Sequence, residues 1–281
     1  MTTSAGSTSP DLAYAKGLAR AFAGAIIFGL PLLMTMEMWF LGIALHPGRL
    51  VAFLLVNFVI LVGLSRFGGF ERTDSLFEDV MDAFAACGVG ILGAAAVLAL
   101  FAIIGPAMPA DEIAGKIAIQ SVPMSFGAMI ARKQLSGGGA EPQDEKEAVR
   151  EASYGGQLFL MAAGALFLAF NVAPTEEMQL IAYLMSTWHL LVLVVVSLLL
   201  LHLFVYRVGF AGQKERAEGH GAVRTFLAYT IPGYGIALAV GLFVLWTFGR
   251  VDGTAYDQVA ATMAVIAFPG ALGAAIARLV V

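Results

Sequence analysis

Two acidic side chains stand where acids are costly. Glu37 lies in "GLPLLMTMEMWFLGIAL" (residues 29–45), inside an apolar stretch from Ala21 to Leu45 that carries no other charge. Glu177 takes the equivalent place in the second half of the chain, with Glu176 beside it, and Pro31 and Pro174 stand upstream of the two. A charge near the bilayer centre costs at least ~2.5–3.5 kcal/mol on the insertion scale, so an acid there faces the protein interior or a water-filled cavity. Proline frees backbone carbonyls, and broken helices with free carbonyls surround ions in transporters. The chemistry indicated is cation binding or proton carriage by Glu37, Glu177 and Glu176. The structural alternative is that Glu177 follows a helix ending at Pro174 and sits in an outer loop, while Glu37 is kept neutral by desolvation.

A second acidic set follows in "ERTDSLFEDVMDAF", where Asp74, Glu78 and Asp82 fall at i, i+4 and i+8 on one helix face. Acids at a mouth concentrate cations, so these three form a candidate cytoplasmic cation funnel. A solvated face is the plainer reading, because the second half has "KERAEGHGAVR" at that place. Met34, Met36, Met38 and Met178 flank the glutamates, and thioethers suit copper(I). Successive helical residues point about 100° apart, so these methionines fill a core rather than converge on a metal. "YTIPGYGIA" (229–237) is similar to a potassium-filter sequence, but Pro232 interrupts it and "CGVG" replaces it in the first half. No HExxH cluster or phosphate-cradling loop is present, and no metal or cofactor is expected.

These residues must be positioned by helices in a membrane. Apolar residues make up 59% of the chain and charged ones 13%, against roughly 45–50% and about 25% in soluble domains. A span needs about 20 apolar residues. Apolar segments fall at 18–45, 50–66, 80–104, 112–131, 156–185, 190–206, 223–248 and 257–280, giving eight spans. They do not alternate as barrel strands would, so the fold class is an all-α polytopic bundle. Residues 1–15 are small and polar and read as a disordered tail. No basic run suits nucleic acid, and the lone Cys87 excludes an intramolecular disulfide.

Sliding the chain against itself suggests an internal repeat. At an offset of 140, Thr35, Glu37 and Met38 fall on Thr175, Glu177 and Met178; later "CGVG" falls on "PGYG" at 145 and "VPMSFGAMIAR" on "FPGALGAAIAR" at 146. The expected organisation is a four-span repeat over 16–132, a cytoplasmic linker over 133–155 and a second repeat over 156–281. With both termini in the cytoplasm, thirteen of the sixteen Lys and Arg residues lie inside and only Arg49, Lys116 and Arg250 outside. Four spans per copy make the repeats parallel, with any site expected at their interface.

Through "PLLMTMEMW", "FEDVMDAF" and "VPMSFGAMIAR" the chain resembles an uncharacterised family of bacterial integral membrane proteins, over most of residues 15–281. The resemblance implies a multi-pass protein of the bacterial inner (plasma) membrane and no activity. The residues themselves point to a channel or secondary carrier for a small cation or proton, partnered by lipid, with a homo-oligomer left open. The alternative is a non-transporting scaffold or a membrane enzyme. Glu176–Glu177 with His189 and His202 is similar in outline to the glutamate intramembrane proteases, yet "EEMQLIAY" lacks the arginine of their EExxxR pattern. Non-enzymatic function is the expectation.

Overall fold

The computed structural model describes residues 10–67, 75–134, 154–206 and 222–280, which form helices and the turns between them. The first half holds α1 (Pro10–Leu33), α2 (Met36–Ala44), α3 (Pro47–Phe67), α4 (Leu76–Leu100) and α5 (Ala110–Gln134). The second holds α6 (Tyr154–Val172), the short α7 (Glu177–Leu184), α8 (Thr187–Tyr206) and α9 (Ala222–Thr225). A π-helical turn (Phe226–Thr230) then leads into α10 (Ile231–Thr247), followed by α11 (Tyr256–Val280). Eight helical stretches are long and apolar enough to cross a membrane. The face at which α1 starts is called the near face below, and the opposite one the far face.

Two boundaries differ from the sequence expectation. The first span ends at Leu33 rather than Leu45, and the fifth at Val172 rather than Met185. Each stops at a threonine whose hydroxyl turns back on the preceding helix: Thr35 Oγ1 donates to the Leu32 carbonyl at 2.7 Å, and Thr175 Oγ1 to Val172 at 2.9 Å. Such local bonds offer the backbone an alternative to the helical ladder. Thr35 is extended, with φ −98° and ψ 123°, and Pro174 disfavours helical backbone at Ala173. The chain then makes a separate short helix in each half. Helix covers Pro10 onward, within the stretch expected as a tail, and residues 1–9 lie outside the described residues.

Several contacts recur between the halves. Gly24 on α1 meets the Gly127 carbonyl and Ala131 on α5; Gly164 on α6 meets the Gly273 carbonyl and Ala277 on α11. These are the same partners, in the same two registers that relate the sequences of the halves. Glycine is needed because a Cβ would collide with the facing backbone, and small residues allow such close helix crossings in membranes. The ends of α4 and α10 match likewise. Phe101 N donates to Val97 O at 3.0 Å and Ile103 N to Leu98 O at 2.9 Å; Phe248 N donates to Val244 O at 3.0 Å and Arg250 N to Leu245 O at 2.8 Å. Between them Ala102 and Gly249 adopt φ of 55° and 71°. The caps thus set Ala102 on Gly249, a register slightly shifted from that of "CGVG" on "PGYG" in the same pair of helices.

The seam between the halves is aromatic. Phe53 of α3 is fully buried, with ring centroids 6.4, 6.4 and 5.6 Å from those of Phe170, Phe243 and Phe248. Phe126 of α5 lies 5.9 and 5.7 Å from Phe167 and Phe170, and Gly63 lies beneath the Phe159 ring. Where a polar interface was expected, the seam is closed by rings packed edge to face or tilted against one another. The contact is also one-sided: α3 packs on α6 and α10 of the other half, whereas α8 packs on α9, the π turn, α10 and α11 of its own.

Candidate functional site

Neither glutamate of the expected pair sits within a span. Glu37 is half-buried in the first turn of α2, just past the end of α1. Glu177 opens α7 and is exposed. Its own backbone N–H and the Thr175 hydroxyl, with Arg250 nearby, hold its carboxyl below the usual range. Glu176 pairs with Arg250 at 3.2 Å, the Arg250 guanidinium also donates to the Pro174 carbonyl, and Gln179 Nε2 donates to Arg250 O at 3.0 Å. These bonds fasten α7 to the turn between α10 and α11. The two glutamates therefore ride on short helices that pack on different spans, α2 on α5 and α7 on α11. Each apolar run expected as one helix is divided at Thr35 or Thr175, so Glu37 and Glu177 begin short helices rather than lying inside the long ones.

At the near face Glu78 is exposed and Asp82 half-buried, its Oδ2 accepting from Ser65 Oγ at 3.4 Å. Asp74 lies outside the described residues. The acid turned inward is Asp79, fully buried and 3.4 Å from the Arg66 guanidinium. In the sequence Asp79 reads as an addition to the acidic stripe of Asp74, Glu78 and Asp82, although it shares its face with the small residues Ala83, Ala86 and Gly90, spaced for a buried stripe.

Buried polar side chains occur in both halves, among them Ser197, Thr230, Thr247 and Thr262 in the second, but the amides cluster in the first. Asn57 of α3, Ser125 and Gln120 of α5 and Ser65 at the end of α3 are all buried, as is Lys116 near the start of α5. Asn57 Nδ2 donates to Ser125 Oγ at 3.0 Å, and Gln120 Nε2 donates to the Gly29 carbonyl at 2.9 Å. Among the described residues their carbonyl oxygens, Asn57 Oδ1 and Gln120 Oε1, are buried with no hydrogen-bond partner, as are Tyr234 Oη, Arg250 Nε and Gln258 Oε1 in the second half. Such a buried orphan costs about 1–3 kcal/mol.

Towards the far face, Lys116 Nζ lies 3.3 Å from Ile103 O and 3.4 Å from Met108 Sδ, and 5.8 Å from the centre of the Trp39 ring. Among the described residues no carboxylate pairs with it. Helix α2 supplies that ring, brought close because Gly42 crosses α5 at Gly115 and Lys116.

Helices α3 and α5 run in the same direction, from far face to near. Lys116 to Ser125 rises about 13.5 Å and Asn57 to Ser65 about 12 Å at ~1.5 Å per residue. Joined at the Asn57–Ser125 bond, the series covers about 25 Å of a hydrocarbon core roughly 30 Å thick. In the second half, Thr262, Ile266, Ala267 and Ala271 take the places of Lys116, Gln120, Ser121 and Ser125, in the register that sets "FPGALGAAIAR" on "VPMSFGAMIAR". Three of those four are apolar.

A groove of about 800 Å³ opens on the far face between the halves, lined by His46, Arg49, Trp246 and Asp252 among others. Arg49 grips Asp252 with two bonds of 2.6 and 2.8 Å and lies 5.3 Å from the centre of the Trp246 ring. This pair closes the far end of the aromatic seam and holds the Asp252 carboxyl below its usual range.

Residues 17–281 match the model of a family described as "Putative integral membrane protein (DUF2391)". The chain belongs to the DUF2391 family. Membership, together with eight apolar helices, establishes a multi-pass integral membrane protein and transfers no reaction. No curated protein and no solved structure matches it significantly. In this DUF2391 chain the residues of the protease-like outline stay apart: His189 bonds to Ser186 at 2.8 Å, His202 to Thr230 at 3.0 Å, and Glu176 to Arg250. Among the described residues, no three His, Cys, Asp or Glu side chains group as a metal ion requires.

Proposed function

We propose that this DUF2391 protein is a non-enzymatic transport protein that moves a proton or small cation through the interior of its first half. Asp79 and Asp82 collect the cation at the near face, Ser65, Asn57, Ser125 and Gln120 relay it, and Lys116, with Glu37 on the neighbouring short helix, controls the far mouth. The observation that carries this reading is the pair of unpartnered amide oxygens, Asn57 Oδ1 and Gln120 Oε1. A static core has no use for two orphaned acceptors at membrane depth, whereas a transient water or cation gives both a partner. Glu176 and Glu177 stand outside this path as fasteners of α7.

The near face is cytoplasmic in this reading, as the distribution of Lys and Arg favours, and the membrane is the bacterial inner membrane. The chain is a tandem duplication with parallel halves, supported by the recurring glycine crossings and the recurring caps. Only the first copy carries the series from Lys116 to Ser65; the second keeps scattered polar groups such as Ser197, Thr230 and Gln258. The test is flux into liposomes containing the purified protein, driven by a pH or cation gradient. Gln120→Leu is expected to reduce flux at least tenfold in protein that still folds; undiminished flux refutes the path.

A further inference from the structure

We propose that α8 docks on α1 and α4 of a second copy of this chain, repeating between chains the contact that α3 makes with α6 and α10 within one. The inference rests on the duplication stated above and is independent of what is transported. The main contacts between the halves are head to tail: α3 of the first half meets α6 and α10 of the second, with Phe28 of α1 and Phe126 of α5 against Phe167, while the main contacts of α8 are with elements of its own half. A two-fold arrangement would satisfy both at once. Here, among the described residues, one α3-type face and one α6/α10-type face lack a comparable partner in every chain.

The counterparts can be compared residue by residue. Phe170 is 0% exposed and its counterpart Leu30 is 37%; Leu166 is 1% and Ile26 is 40%; Phe248 is 3% and Phe101 is 49%. On the other face Gly63 is buried under Phe159, while its counterpart Leu203 is 47% exposed. Within the span windows, 28% of α3 is buried against 11% of α8. Apolar exposure in a bilayer is ordinary by itself, because lipid covers it. The two open faces are different here: they are the complementary sides of a contact that this chain already makes once. Heterologous contacts of this kind generate rings when the rotation closes. Parallel halves at one depth in a membrane are related by rotation about the membrane normal without translation, so the second copy extends a cyclic ring of halves rather than a filament.

The test uses the far-face clamp. The counterparts of Arg49 and Asp252 are His189, in the register that sets Glu37 on Glu177, and Gly105, in the register of the two caps. A Cβ at Gly105 meets nothing within 4 Å, so a cysteine there is accommodated. In a Cys87→Ser background, Gly105→Cys and His189→Cys chains are co-expressed and treated in membranes with a short bifunctional thiol reagent, beside an Arg49→Cys/Asp252→Cys chain as the internal reference. The expected result is a dimer band that needs both partners, a ladder from the Gly105→Cys/His189→Cys double variant, and a multi-chain mass in nanodiscs.

A monomeric mass with no crosslink overturns the proposal. Equal yields from Gly105→Cys alone or His189→Cys alone indicate a two-fold dimer and overturn it as well. Loss of the internal link between positions 49 and 252 removes the contact being repeated and overturns it at that level. None of these outcomes alters the liposome result for Gln120→Leu, so a failed ring and a failed transport path are told apart.

Discussion

The Lys116 ammonium donates to the Ile103 carbonyl at 3.3 Å, and the counterpart carbonyl in the second cap, that of Arg250, accepts from Gln179 at 3.0 Å. The same cap carbonyl is satisfied in both halves, by a buried cation in one and a neutral amide in the other. A neutral donor is enough for the structural task, so the charge of Lys116 serves something else. Lys116→Gln keeps a neutral donor for the Ile103 carbonyl and removes the desolvated ammonium, and should stabilise the protein by about 1–3 kcal/mol. Thermal unfolding in detergent checks this; a loss of stability would make the ammonium structural.

The two caps supply a reciprocal pair of substitutions. Ala102 holds φ of 55° and Gly249 φ of 71°, a region that costs an L side chain roughly 1–2 kcal/mol. Ala102→Gly should therefore raise stability by about 0.5–1 kcal/mol, and Gly249→Ala should lower it by about 1 kcal/mol. Shifts of the same sign in both variants would contradict the matched geometry.

The far-face clamp carries a pH dependence. The Asp252 carboxyl is held below its ordinary value of 3.8, first by its bond to Arg49. A depressed pKa means the stabilisation is fully present above that ordinary value and is lost as pH falls through the lower folded one. The melting temperature should thus drop between about pH 4 and pH 2, and Asp252→Asn should flatten part of that drop. An unchanged acid limb in Asp252→Asn would show that the clamp contributes nothing there.

The eight spans were legible because apolar length decides a membrane helix, and the offsets of 140 and 146 in the sequence recur in the Thr35/Thr175 turns and the glycine crossings. The site was legible in part. Asn57, Gln120, Ser121 and Ser125 stand out as polar residues inside spans, but their bonding is set by which helices meet, so Asn57 Oδ1 and Gln120 Oε1 could not be seen as orphans. Glu37 misled for a physical reason: hydropathy does not register a turn made by one threonine hydroxyl, and "MEMWFLGIA" is as apolar in a short packed helix as in a span. Asp79 was hidden by the more conspicuous stripe of Asp74, Glu78 and Asp82.

Asn57→Leu/Gln120→Leu in reconstituted liposomes tests the account most directly, with flux and melting temperature read on the same preparation. Removing the two unpartnered acceptors offsets the loss of the bonds to Ser125 and Gly29, so stability should change by no more than about 1 kcal/mol for each, while flux falls at least tenfold. Flux that persists at the unmodified rate in a folded double variant would contradict a path through the first half.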